Sequence, residues 1–143
     1  MQFKQIDNIF QVYLEKGESV VEELTNFCKE QNILNGYITG IGAVNYIELG
    51  AYDTKAGEYI KENFNEDHEL ITYQGNIMLL DNKPFIHAHI TIGNHNMELY
   101  GGHLFRANIA VVGEFIIQKI DGKSKRTFND DIGLATWNLN CKE

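Results

Sequence analysis

The chain has 143 residues, the usual size of one domain, and its 43% hydrophobic and 11% aromatic content with a single proline excludes the disordered and collagen-like classes. Twelve basic side chains against 20 acidic ones leave a formal charge of -8, a field that repels phosphate and opposes nonspecific binding to nucleic acid. No apolar run approaches the ~18 residues of a membrane span, and the opening Met1-Gln-Phe-Lys-Gln-Ile-Asp7 has no apolar stretch behind a basic region, so the expected compartment is the cytoplasm, with no membrane partner.

In chain order, Ile9 to Leu14 reads as a first strand, ending at Lys16-Gly17. Ser19 and Glu22 have capping-box spacing, and Val20, Val21, Leu24, Phe27 and Cys28 then recur on one helical stripe. The spacing predicts an amphipathic helix over 19 to 31, with Asn35-Gly36 supplying stop chemistry. From Tyr37 the rhythm becomes β-rich, with strands expected at 37 to 42, 46 to 52, 69 to 73 and 76 to 80. Residues 53 to 68, rich in charge, read as an exposed excursion or short helix.

Asp81-Asn-Lys-Pro84 and Gly93-Asn-His-Asn96 are turn sequences, so 76 to 80, 85 to 92 and 97 to 100 form a predicted meander. In the run from Ala107 to Ile120, apolar residues occupy both parities, which predicts a central strand covered on both faces. The tail after Gly122 is weakly patterned. The reading is a single α+β domain over 1–143, a compact antiparallel sheet with one main amphipathic helix packed on it. Cys28 and Cys141 lack metal-ligand or redox spacing and read as a buried thiol and an incidental tail thiol.

Pro84-Phe-Ile-His-Ala-His-Ile-Thr-Ile92 is the most informative segment. Alternation assigns Ile86, Ala88, Ile90 and Ile92 to the core and turns Phe85, His87, His89 and Thr91 to the other face. Two imidazoles about 7 Å apart along a strand can converge on one cation. His103 follows Gly101-Gly102, a pair that permits a bend or a close backbone approach toward a neighbouring strand. Three neutral imidazoles plus an open position match zinc or a similar divalent metal. The competing reading makes His87, His89 and His103 ordinary hydrogen-bonding residues on a half-exposed face. His68 and His95 read as surface residues.

Glu114 interrupts the apolar run and is the best acid or base candidate, orienting a metal-bound histidine or acting as a general base, with a structural pairing to Arg106 or a backbone amide as the competing reading. Gly40-Ile-Gly42 lacks the third glycine and following helix of a dinucleotide fingerprint, and no serine or cysteine stands in a nucleophile-elbow context.

Gly40-Ile-Gly-Ala43, Leu49-Gly-Ala-Tyr-Asp53, Glu69-Leu-Ile-Thr-Tyr-Gln-Gly-Asn76, Phe85-Ile-His-Ala-His89 and Gly101-Gly-His-Leu104 followed by Glu114 form an ordered combination. It resembles the PPC domain, the plants-and-prokaryotes-conserved domain also found beside AT-hooks, from about Tyr13 to Trp137. The resemblance implies a compact fold around an antiparallel sheet, a homotrimer, and a metal on His87, His89 and His103 as in some stand-alone prokaryotic members. Such members often carry a DNA-binding name by similarity.

This chain has no Arg-Gly-Arg-Pro hook, and Lys123-Ser-Lys-Arg126 reads as a solvated loop. His68-Glu-Leu-Ile71 differs at its leading aromatic from the Phe-Glu-Ile-Leu through which plant members engage transcription factors. Three functions follow as expectations. The first is a trimeric metal- or small-ligand-binding protein, with room for metal-dependent catalysis on an unidentified substrate. The second is a DNA-binding or transcription-regulatory protein acting through trimer-mediated partner contacts, and the third an oligomerisation module without a ligand.

Overall fold

The computed structural model describes residues 1–139, so Cys141 lies outside the described residues. Two hairpin strands, β1 (Gln2–Ile6) and β2 (Ile9–Glu15), precede the helix α1 (Val20–Glu30). There follow β3 (Gly36–Asp53), β4 (Glu58–Phe64), β5 (His68–Leu80), β6 (Lys83–Gly93), β7 (Leu99–Lys119), β8 (Lys125–Asn129) and β9 (Leu134–Asn138). All strand pairs are antiparallel except a single parallel bridge from β5 to β8. Pairing runs from β3 to β5, β6, β7 and back to β3, so these four strands close a hydrogen-bonded circuit. No helix among the described residues is long and apolar enough to cross a membrane.

The apolar stripe of α1 explains its docking, since Val20, Leu24, Phe27 and Cys28 are all buried against the sheet. Burial pushes the Cys28 thiol up to about 12, which leaves it an inert packing group. Neither end of the helix uses the expected chemistry. Ser19 makes no side-chain cap bond. The Glu18 carboxylate, just before the cap, ties down the chain that enters the helix by accepting from the Glu15 amide at 2.7 Å and the Met1 amine at 2.6 Å. The stop is Asn32 rather than Asn35-Gly36. Asn32 takes φ +51°, its amide donates to Lys29, and the Ile33 amide donates to Cys28. These paired bonds form a Schellman cap, with buried Ile33 packed where the motif wants an apolar residue.

The segments expected as separate strands at 37 to 42 and 46 to 52 are one long β3, bent by a bulge between Gly40 and Gly42. A side chain at Gly40 would start 2.3 Å from the Phe115 ring, so this glycine serves close packing. Residues 58 to 64 form strand β4, not a loop or helix, since Asp53 accepts from the amides of Lys55 and Ala56 and Gly57 turns at φ +70°. Asp81 and Asn82, both at positive φ, make the two-residue turn of the β5–β6 hairpin.

The expectation of a doubly covered β7 needs correction. Ile109, Phe115 and Ile117 are buried, but Val111 and Ile116 are 60% and 41% exposed. One face of this strand packs on the core and part of the other is bare.

Candidate metal centre

His87 and His89 lie two apart on β6, while the buried Ala88, Ile90 and Ile92 face the core. His103 enters through register. In the β6–β7 ladder His89 is directly opposite His103, Ile90 opposite Gly102 and Thr91 opposite Gly101. No bend is needed, because β7 runs unbroken through the glycine pair. Gly102 instead admits the neighbouring strand, since a Cβ there would stand 2.8 Å from the Gly50 carbonyl oxygen.

The three rings gather with centroids 5.1 to 5.5 Å apart, and one ligand atom from each lies within 4.8 Å of the others. Tetrahedral zinc with bonds near 2.1 Å needs nitrogens about 3.4 Å apart, so each pair must close by no more than about 1.4 Å, within reach of side-chain torsions. The donor chemistry fits the ion. Burial, followed by the Arg126 charge and His89, brings His87 down to about 4, and burial, followed by the other two imidazoles, does the same to His103. Both therefore offer lone pairs at neutral pH, and the His103 Nδ1 is buried with no hydrogen-bond partner among the described residues.

Around this cluster stand groups that sequence reasoning did not assign to it. Tyr59 of β4 and Phe105 of β7 lie 5.0 and 4.8 Å from the His103 ring, and Lys61 sits over Phe105 while pairing with Glu48 at 2.7 Å. Arg126, expected in a solvated basic loop, is only 7% exposed. Its guanidinium donates to Asn76 Oδ1 at 2.9 Å, to the Ala135 carbonyl at 2.9 Å and to His87 Nδ1 at 3.0 Å. The β8–β9 hairpin that carries it had no apolar alternation to announce it, although Asn76 opposite His87 in the β5–β6 register marks where its partner stands.

Glu114 is not brought to the histidines. It is exposed, opposite Tyr13 and Ile41, and lies eleven residues along β7 from His103, up to about 36 Å by strand rise. It borders an open groove with Phe3, Tyr13, Ile41 and Ile116. Its place in the sequence run suggested burial, but its parity directs it to the uncovered face. His68 also departs from expectation. It is buried between Phe64 and Tyr100 and donates from Nδ1 to the Glu66 carbonyl, whereas His95 is exposed in its turn.

The family model of the Plants and Prokaryotes Conserved (PCC) domain matches residues 1–121. The chain belongs to this family. As a PCC-domain protein it is similar to a candidate DNA-binding protein of Bacteroides thetaiotaomicron, with 32% identity, TM-score 0.95 and 98% of each chain covered. It is also similar to a plant- and prokaryote-conserved protein of Pyrococcus horikoshii, with 29% identity, TM-score 0.86, and 99% of this chain and 97% of that one covered. A metal-containing protein of Archaeoglobus fulgidus is 32% identical, with TM-score 0.85, and 96% of this chain and 99% of that one covered. Comparison with curated proteins finds no match. The PCC fold is thus present here as a mostly antiparallel sheet carrying one helix.

Proposed function

We propose that this PCC-domain protein binds one divalent metal of the zinc type through His87, His89 and His103, leaving a coordination position for water or a small ligand. The observation that carries the reading is the convergence of one ligand atom from each of the three imidazoles within 4.8 Å, beside a buried His103 Nδ1 that has no hydrogen-bond partner among the described residues. Three protein ligands are the set of an exchanging site, whereas purely structural zinc is closed by four. A bound ion there would polarise a ligand or acidify a water. The metal-containing Archaeoglobus protein, similar over nearly its whole length, supports the same reading.

The working unit in this proposal is a homotrimer. Its support is the bare apolar face that includes Phe3 of the surface strand β1 and Ile41, Val111 and Ile116 of the core strands β3 and β7, each 41% exposed or more. A monomer in water leaves such a contiguous apolar patch uncovered at a cost that association removes.

Metal analysis of untagged protein purified without chelator tests the site. Wild type should carry about one ion per chain, His89→Ala should lose most of it, and His95→Ala should retain it. Equal loss in both variants, or no metal in wild type, refutes the proposal.

A further inference from the structure

Arg126 is the group at this site that three histidines and an ion leave unexplained. It is nearly buried, and its recorded partners among the described residues are all neutral: the Ala135 carbonyl, Asn76 Oδ1, His87 Nδ1 and the Phe85 ring, 5.7 Å from Cζ. Its Nε is buried without an acceptor among the described residues. No carboxylate among the described residues forms a salt bridge with it. A guanidinium keeps its proton, and a buried charge in a fold is normally matched by an opposite one. The matched family region ends at residue 121, so the hairpin that delivers Arg126 lies beyond it.

Resting on the three-histidine reading, we propose that the site takes its metal together with an oxyanion. A carboxylate or phosphate oxygen occupies the open metal position, and Arg126 is the positive charge that selects it over neutral ligands. Two physical arguments support this. Three uncharged imidazoles, a divalent ion and one guanidinium sum to three positive charges with no carboxylate ligand, an assembly that an anion relieves and a neutral ligand does not. The second argument concerns a lone pair. Arg126 can only donate, so His87 Nδ1 holds the single lone pair of that neutral ring. An ion that takes this lone pair removes one acceptor from the guanidinium, and the freed N–H needs a new, preferably anionic, partner.

Asn76 holds Arg126 in place, and its Oδ1 also accepts from Trp137 Nε1 at 3.4 Å. The amide oxygen therefore stands where a carboxylate would neutralise the guanidinium from within the protein.

Cobalt(II) titration of the full chain, followed by visible absorption in perchlorate buffer at constant ionic strength, tests this. Millimolar acetate, and in a separate arm inorganic phosphate, should tighten apparent cobalt affinity of wild type on the order of tenfold for the better anion, which identifies the source chemistry. Arg126→Met and Asn76→Asp should each bind cobalt in the perchlorate medium without acetate or phosphate at least as tightly as wild type, because one removes the opposing charge and the other matches it. Neither should gain more than about twofold from either anion, within the scatter of such couplings. If Arg126→Met fails to fold, Asn76→Asp keeps the guanidinium and decides the question alone. Wild-type uptake indifferent to both anions, or an Asn76→Asp variant with the full wild-type response, overturns the inference while the metal site stands. A wild type that takes up no cobalt in any buffer overturns both.

Discussion

Gly102→Ala tests the register argument for the metal centre most directly. The new Cβ would lie 2.8 Å from the Gly50 carbonyl oxygen, and ordinary contact begins at 3.4 Å, so β3 and β7 must part by roughly 0.6 Å beside His103. The obstacle is backbone, which has no rotamer to escape into. Overpacking of this kind costs about 1 to 3 kcal/mol, or about 3 to 10 °C of melting temperature for a chain of this length. Displacing one ligand strand by about half an ångström should also weaken metal uptake on the order of tenfold. Gly101→Ala, whose Cβ would meet the Ile90 carbonyl at 3.1 Å, should do less on both counts. Thermal unfolding at one protein concentration, paired with cobalt titration, gives the ranking. A Gly102→Ala protein with wild-type melting and uptake, or a Gly101→Ala protein that is worse, refutes the close-approach reading.

Acid should weaken the metal-free fold through the histidines. The unfolded imidazoles of His87 and His103 take protons at 6.5 and the folded ones only near 4, so between those pH values the unfolded chain binds more protons and stability falls as pH falls. After allowance for screening at half-exposed positions the loss is about 1 to 2 kcal/mol per histidine, and a His87→Gln/His103→Gln variant should show a flatter melting profile over that window. Light scattering coupled to size exclusion should report about three chains, and Ile41→Asp should lower that mass; a concentration-independent wild-type monomer removes the trimer. Duplex DNA titration at physiological salt should find only weak, nonspecific binding, given a charge of -8, and sequence-selective binding tighter than about micromolar reverses the order of the functional readings.

Legibility of the sequence followed how locally each feature is determined. Alternation in β6 separates the two histidines from the core because that strand buries one face and turns the other outward. The helix was readable from its stripe, but its ends were not, because Ser19 makes no side-chain cap bond and Asn32 closes the helix through backbone bonds that no spacing rule singles out. His103 joined the cluster for a reason the glycine pair only half conveyed, since the cross-strand register that places it is a nonlocal property. β1 and β4 were invisible as strands because they lie on the surface, β1 with all five residues exposed, so neither carries a buried parity. Arg126 was hidden by its neighbours. Three polar residues before it resemble a solvated run, and only the hairpin turning back on Asn76 buries its side chain. Glu114 misled for the opposite reason, as the apolar residues flanking it belong partly to a face this chain leaves bare.

The circuit of four strands is not equally strong around its circumference. The β6–β7 seam has five paired positions, fewer than the eleven between β5 and β6 or the twelve between β3 and β7, and His89 and His103 form its last rung. An ion held across that rung would act as a latch where the ring closes. Its removal would then be felt mechanically, as faster hydrogen exchange along 99 to 103 and the facing amides, before any change reached the helix or the β3–β5 wall.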